Sequence, residues 1–233
     1  AGSCRMIANY GVGVNHIDLA AAAAHGIPVS NTPGVLTDAT ADLAMTLMLM
    51  LCRRAGEGER ELRAGAWAGW RPTHLVGQAM TGKRLGIIGM GRIGKAVAQR
   101  AHFGFGMEIV FQNRSPVDDG AGVGGRQLAS VAEVCAASDF VSLHCAATPE
   151  TRHILGRDAL AAMSPSAYVI NTARGDVVDE DALVAALESG AIGGAGLDVF
   201  QGEPKVSPAI MAAPNTVLLP HLGSATEETR VAM

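Results

Sequence analysis

Residues 83–115 read KRLGIIGMGRIGKAVAQRAHFGFGMEIVFQNRS, and this stretch restricts the possible folds more than any other. Residues 83–89 are an apolar run of strand length. Gly89, Gly91 and Gly94 then fall in the spacing G-x-G-x-x-G. Apolar residues follow at helical intervals (Ile93, Val97, Ala98, Ala101), and a second apolar run covers residues 107–111. A strand–helix–strand unit opened by such glycines is a dinucleotide-binding fingerprint. The first glycine permits a tight turn, the second lets backbone approach a pyrophosphate, and the third lets helix and strand pack closely. The phosphates would rest on a helix N-terminus, where unpaired N–H groups and the helix dipole favour negative charge. Gly89, Gly91, Arg92, Ile93 and Gly94 are the expected contacts. With 29 glycines in the chain the spacing alone is weak; its flanking strands and helix give it weight.

The end of the second strand indicates which dinucleotide. An NAD site usually places Asp or Glu there, to hold the ribose 2′-OH. Here the residues are Gln112, Asn113, Arg114 and Ser115. No carboxylate repels a 2′-phosphate, and Arg114 offers a planar fork suited to one. Asn113, Arg114 and Ser115 are therefore assigned to the adenosine end, with NADP as the preferred cofactor and NAD as the alternative.

At 233 residues the chain fits one large or two small domains. A net charge of −4 leaves no basic stripe for a nucleic acid. The longest apolar run, residues 43–52, falls short of the roughly 18 residues of a membrane span. No basic region followed by an apolar stretch opens the sequence, so no signal peptide is expected. Cys4, Cys52, Cys135 and Cys145 lack C-x-x-C spacing, which predicts reduced thiols and a cytoplasmic location. His144 and Cys145 adjoin on an expected strand and would face opposite ways; with no H-x-x-x-H pattern, no metal site is expected.

Residues 5–10 and 27–30 read as strands around an Ala-rich helix at 18–25. This βαβ fragment is too small for a core of its own, so further residues are expected ahead of Ala1. Thr37 is placed to cap a helix running to about residue 54 and apolar nearly all round. That helix is either a subunit interface or an internal core helix. A charged helix at 57–66 leads to Trp67 and Trp70, which either pack a hinge or cover a substrate pocket, in the same chain or across a dimer. After a loop at 118–125, helices at 131–137, 159–163 and 180–189 alternate with strands at 140–145, 167–173, 195–199 and 216–219. Asp179 and Gly190 cap and stop the third of these helices. The alternation predicts an α/β fold, a doubly wound parallel sheet with helices on both faces.

Ligands of such sheets gather beyond the carboxyl ends of the strands, and three ends carry reactive groups: Arg174, Glu203 and His221. Beside a nicotinamide they match the needs of 2-keto acid reduction. Arginine binds the substrate carboxylate and polarises the carbonyl. Histidine protonates the carbonyl oxygen as hydride reaches carbon. Glutamate orients the imidazole and favours its charged form.

The stretches YGVGVNHID, LGIIGMGRIG, INTARGDVVDEDAL, GAGLDVFQGEP and LPHLGSAT stand in the order found in the D-isomer-specific 2-hydroxyacid dehydrogenases, which the chain resembles over nearly its whole length. The resemblance implies Arg174, Glu203 and His221 as the catalytic set. It implies a substrate carboxylate held by Val12 and Gly13 N–H groups and by Arg174, with Ser224 nearby and His221 binding the substrate at its carbonyl oxygen. Asp198 is implied to hold the nicotinamide carboxamide, and Ala146, Thr172, Arg174, His221 and Gly223 to line the cofactor cleft. Residues 1–35 would be part of a smaller, flavodoxin-like substrate domain, 36–220 the dinucleotide-binding domain, and 221–233 the return to the former. Residues 37–54, the W-x-x-W-R-P segment and QNRS look most like the glyoxylate/hydroxypyruvate reductases, cytoplasmic homodimers in bacteria acting on small 2-keto acids. Two alternatives share the fold: phosphite dehydrogenases, and corepressors that bind partner peptides under dinucleotide control. The formate dehydrogenases carry Gln where this chain has Glu203.

Overall fold

The computed structural model describes residues 3–233, apart from the side chains of residues 119 and 120. Its centre is a seven-stranded, all-parallel sheet. From β3 (Arg84–Ile88) the chain steps outward to β4 (Glu108–Gln112) and β5 (Arg126–Gln127). It then crosses back to the other side of β3. There it lays down β6 (Phe140–Leu143), β7 (Tyr168–Asn171), β8 (Gly194–Leu197) and β9 (Thr216–Leu218) in turn. The reversal between β3 and β6 opens a crevice at the carboxyl edge, the usual ligand site of this architecture. Register aligns that edge. Ile88 pairs with Gln112 and Leu143, Leu143 with Asn171, Asn171 with Leu197, and Leu197 with Leu218. The next residue on each strand therefore stands in one row: Gly89, Asn113, His144, Thr172, Asp198 and Leu219.

Both faces of the sheet are covered, so its inner strands are continuously buried rather than alternating. On one face α2 (Thr37–Cys52) and α4 (Arg92–Phe105) pack with Leu85, Ile87, Phe111, Phe140 and Ile170. On the other, α5 (Val131–Ala137), α6 (Arg157–Ala161) and α7 (Glu180–Glu188) close over Ile88, Val141, Val169 and Leu197. The α2 helix lies against α4, β7 and β8, with Leu47 and Met48 fully buried, so it is an internal core helix. Gly196 makes room for it: a Cβ there would sit 3.0 Å from Leu47 Cβ.

Several local expectations are corrected. Thr37 is the first helical residue rather than the cap; Leu36 holds the cap position without a side-chain bond. The helix stops at Cys52, and α3 spans Ala55–Arg63 rather than 57–66. Trp67 and Trp70 are 53% and 81% exposed. Rings so open to solvent pack no hinge within the described chain. The short β5 and the helix α8 (Pro208–Ala212) had no periodic signal. A separate two-stranded parallel sheet pairs β1 (Ile7–Ala8) with β2 (Val29–Ser30) around α1 (Leu19–Ala24), whose first turn is capped by Asp18. The final helix is α9 (Glu227–Ala232). Among the described residues no helix is long and apolar enough to cross a membrane.

Candidate active site

The glycine loop has the shape that a pyrophosphate needs. Gly89 takes φ +96°, and a Cβ there would come 2.6 Å from Cys145 N across the crevice. A Cβ on Gly94 would overlap the Gly89 carbonyl, so these two glycines are required by backbone packing. Gly91 differs: it caps α4 without a side-chain bond, and a Cβ there would meet nothing within 4 Å. Open space over an uncapped helix N-terminus, with Arg92 and Ile93 opening the helix, fits a dinucleotide. Asn113 reaches back to this loop, its Oδ1 accepting the Met90 N–H at 3.1 Å. Arg114 and Ser115 are exposed, and among the described residues no carboxylate forms an ion pair with Arg114. Glu150 is held below its usual range mainly by a hydrogen bond from Thr148 and its own backbone N–H, with a lesser contribution from the Arg114 charge. Ala146 is exposed along the same edge, and its carbonyl accepts the Thr151 hydroxyl at 2.6 Å.

Glu203 and His221 meet directly. His221 Nδ1 lies 2.8 Å from Glu203 Oε2, while Glu203 Oε1 accepts the Phe200 N–H at 2.8 Å. Both carboxylate oxygens are thus assigned, and a carboxylate partner makes Nδ1 the protonated nitrogen. Nε2 is left facing away from the pair. His221 sits at φ +57°, a left-handed conformation costing a residue with a side chain about 1 kcal/mol or more. It is over-determined there: its N–H meets the Asp198 and Leu219 carbonyls, and Asp198 holds the turn that follows. Asp198, 1% exposed, accepts the Leu222 N–H at 2.6 Å and the Gly223 N–H at 2.8 Å. Burial raises its pKa, and the two N–H bonds oppose that rise. Thr40 on α2 donates to the Gly223 carbonyl at 2.9 Å, fixing the same turn from below. In this structure Asp198 organises the His221 turn, with both oxygens already engaged.

Arg174 is joined to this pair through backbone. Asn171, fully buried at the end of β7, accepts the Ala173 N–H at 3.0 Å and donates to the Arg174 carbonyl at 2.9 Å. The next residue, Gly175, packs so tightly on the loop bearing Glu203 that a Cβ would overlap the Phe200 carbonyl. Glu180 accepts the Gln201 N–H at 2.6 Å from beneath that loop, and burial raises its pKa. The guanidinium reaches toward the N-terminal segment: Arg174 Nε donates to Asn15 Oδ1 at 3.2 Å, and a Cβ on Gly13 would overlap the guanidinium.

In that segment the carbonyls are already taken. Asn9 donates to the Gly11 and Gly13 carbonyls at 2.9 and 3.1 Å, and Asn31 to the Val12 carbonyl at 2.9 Å. Among the described residues neither the Val12 nor the Gly13 N–H donates a hydrogen bond. Gly13 thus lies against the Arg174 guanidinium, with its own N–H and that of Val12 unengaged, chemistry suited to a carboxylate. Ser224 stands past the Gly223 turn, its carbonyl accepting Arg230 Nε at 3.0 Å.

Asn9, Asn31, Asn171, Glu180 and His144 escaped the sequence reading as site-shaping residues. Their signal was composition only, polar side chains at the ends of short strands and, for Glu180, in the first turn of α7. His144 is the sharpest case. Its Nε2 is hydrogen-bonded with Ser142 Oγ at 2.8 Å, its Nδ1 stands 3.5 Å from the Thr172 hydroxyl, and desolvation pushes its pKa down to about 3. Cys145 next to it is pushed up to about 11 by burial, which leaves the thiol protonated and unreactive. Among the described residues no cluster of His, Cys, Asp or Glu could hold a metal ion.

The family model for the D-isomer specific 2-hydroxyacid dehydrogenase NAD binding domain matches residues 45–223. The chain is 46% identical to a glyoxylate reductase of Thermococcus litoralis, over 98% of this chain and 70% of the relative. It is 44% identical to a glycerate dehydrogenase of Hyphomicrobium methylovorum, over 97% and 70% respectively. An NADPH-dependent glyoxylate/hydroxypyruvate reductase from Sinorhizobium meliloti, solved with NADP and malonate, superposes with a TM-score of 0.90 at 40% identity, over 98% of this chain and 70% of that one. With its glycine loop, its seven-stranded sheet and these relatives, the chain belongs to the D-isomer specific 2-hydroxyacid dehydrogenase family.

Proposed function

We propose that the protein reduces a small 2-keto acid, glyoxylate or hydroxypyruvate, to the corresponding 2-hydroxy acid. The observation that carries this reading is the 2.8 Å contact of His221 Nδ1 with Glu203, which leaves Nε2 as the proton donor to substrate. A bound nicotinamide dinucleotide supplies the hydride. This chain supplies the rest. Arg174 and the Val12 and Gly13 N–H groups hold the substrate carboxylate. The guanidinium also polarises the carbonyl, and His221 Nε2 delivers a proton to its oxygen as carbon accepts the hydride. Glu203 stabilises the imidazolium before transfer, and the neutral ring recovers a proton from solvent afterwards. Asp198 and Thr172 sit in the row flanking the nicotinamide end; Asp198 reaches the carboxamide only by sharing an oxygen with the Leu222 or Gly223 N–H.

Cofactor preference is assigned to NADPH, because Arg114 and Ser115 follow β4 where a carboxylate would otherwise select NADH. The named relatives act on glyoxylate, hydroxypyruvate or glycerate, and the keto-acid reading extends their substrates to this chain. Residues 1–35 and 221–233 are read as parts of a smaller substrate domain around a dinucleotide domain at 36–220. The partner is read as a second copy of the chain. The edge strand β9 borders a groove of about 740 Å³ lined by Met50, Leu51, Tyr168 and Met211, and the exposed Trp67 and Trp70 arm is one apolar element that a copy could cover. Four free thiols accord with a cytoplasmic site of action.

Initial rates with glyoxylate and hydroxypyruvate, each with NADPH and NADH, test the reaction directly. Turnover of either acid is expected, with His221→Ala lowering kcat by about 10²- to 10⁴-fold. A wild-type chain inert toward 2-keto acids, or a His221→Ala chain of undiminished kcat, overturns the assignment. Light scattering at micromolar concentration reads the dimer, which a monomeric mass refutes.

A further inference from the structure

The loop after β4 is held by a residue that neither the glycine motif nor the strand-end pattern marks. Gln127, on the edge strand β5, stands opposite Phe111 in the register and projects past the end of β4. Its Nε2 donates to the Asn113 carbonyl at 3.0 Å and to the Ser115 carbonyl at 3.3 Å, and its Oε1 accepts the Val117 N–H at 3.1 Å. One side-chain amide thus gathers three backbone groups of residues 113–117. Asn113 Nδ2 adds a bond to the Ser115 carbonyl at 3.0 Å, while its Oδ1 holds the Met90 N–H of the glycine loop.

The chemistry of that arrangement is directional. Two carbonyl oxygens, which would repel a phosphate, are turned toward Gln127 and neutralised there. The Arg114 side chain and the Ser115 hydroxyl, between those carbonyls, are left on the exposed side. A loop whose acceptors are drawn inward and whose donors are left outward is a receptor for an anion.

We propose that Gln127 is the positioning residue for cofactor preference, holding residues 113–117 so that Arg114 and Ser115 receive the 2′-phosphate of NADPH. This rests on the NADPH reading given above. Gln127 touches neither the reacting atoms nor the dinucleotide; it acts through the backbone it gathers.

The test is calorimetric binding of NADPH and of NADH to the full chain in three forms: wild type, Arg114→Ala and Gln127→Met. Methionine keeps the length of glutamine and removes both hydrogen-bonding groups. The expected result is a loss of about tenfold or more in NADPH affinity for Gln127→Met, with NADH affinity within about twofold of wild type. That loss corresponds to the net worth of one or two of the three hydrogen bonds by which Gln127 holds the loop. Equal weakening of both cofactors would mark a merely structural role and overturn the proposal, as would unchanged NADPH binding. If Gln127→Met does not fold, Gln127→Ala, which cannot crowd the loop, takes its place under the same criteria. The two readings separate cleanly. Should Arg114→Ala lose NADPH while the Gln127 variant keeps it, only the Gln127 assignment fails. Should the wild-type chain bind both cofactors alike, the NADPH reading fails and takes this one with it.

Discussion

Acidification should destabilise this protein through His144 in a way that can be isolated. The imidazole has an ordinary pKa of 6.5, and desolvation at the end of β6 drives it to about 3 in the folded chain. Between those values the unfolded chain binds a proton that the folded chain refuses. Stability therefore falls as pH drops through about 6.5 and goes on falling until about 3. The limits lie about 3.5 pH units apart, so the full loss is bounded at about 5 kcal/mol. One edge of the residue meets solvent, which favours the lower part of that range, about 3 kcal/mol. By pH 5 the loss from this group alone is about 2 kcal/mol. The perturbation is His144→Gln, whose amide can still accept from Ser142 Oγ but cannot titrate. Urea unfolding midpoints at pH 7.5 and 5.0 are the assay, since all other titrating groups are common to both chains. At pH 7.5 the variant should be weaker by about 1 kcal/mol for its poorer hydrogen bond. At pH 5.0 that deficit should vanish or reverse, because wild type loses about 2 kcal/mol more than the variant. Parallel losses in the two chains would falsify the claim that this imidazole is buried in its neutral form.

Three further outcomes follow from contacts already described. Glu203→Gln keeps an acceptor for the Phe200 N–H but no longer stabilises an imidazolium; kcat should fall by about 10- to 100-fold, the worth of a charged hydrogen bond, with an unchanged circular dichroism spectrum, and wild-type turnover would count against the pair. Arg174→Lys retains charge and loses the fork, so KM for the keto acid should rise by about tenfold or more; an unaltered KM would remove Arg174 from carboxylate binding. Gly175→Ala forces a Cβ into the Phe200 carbonyl. It should cost about 1–3 kcal/mol in urea unfolding and lower kcat as well, because the displaced loop carries Glu203; a variant of native stability and rate would show that the loop yields freely.

What the sequence disclosed, and what it withheld, divides along one physical line. The parallel sheet and its flanking helices were legible because period and punctuation report burial. Residues 131–137 and 216–218 are apolar where the core requires it, and Gly106 ends α4 in the left-handed conformation such a stop favours. Arg174, Glu203 and His221 were legible because each follows a strand, and strand ends converge in this architecture. The two-residue β5 and the five-residue α8 were not, since neither is long enough to display a period. The fate of α2 was open for a related reason. A helix apolar all round announces burial without naming what buries it, and only tertiary packing shows that α4, β7 and β8 cover the buried face of α2.

The residues that hold the site together were hidden for a different reason. Asn171, Asn9 and Gln127 each spend a side chain on backbone groups of a turn, as does Asp198, which the resemblance marked for another role, and nothing in a polar residue's identity tells which N–H or carbonyl it will meet. Yet these bonds decide the geometry. His221 keeps its left-handed backbone because Asp198 takes the two N–H groups after it, and the Glu203 loop keeps its place because Gly175 has no Cβ. The strand-end positions of the proposed reacting groups can therefore be read from strand order, whereas their geometry rests on capped turns that become visible only once the strands are in register.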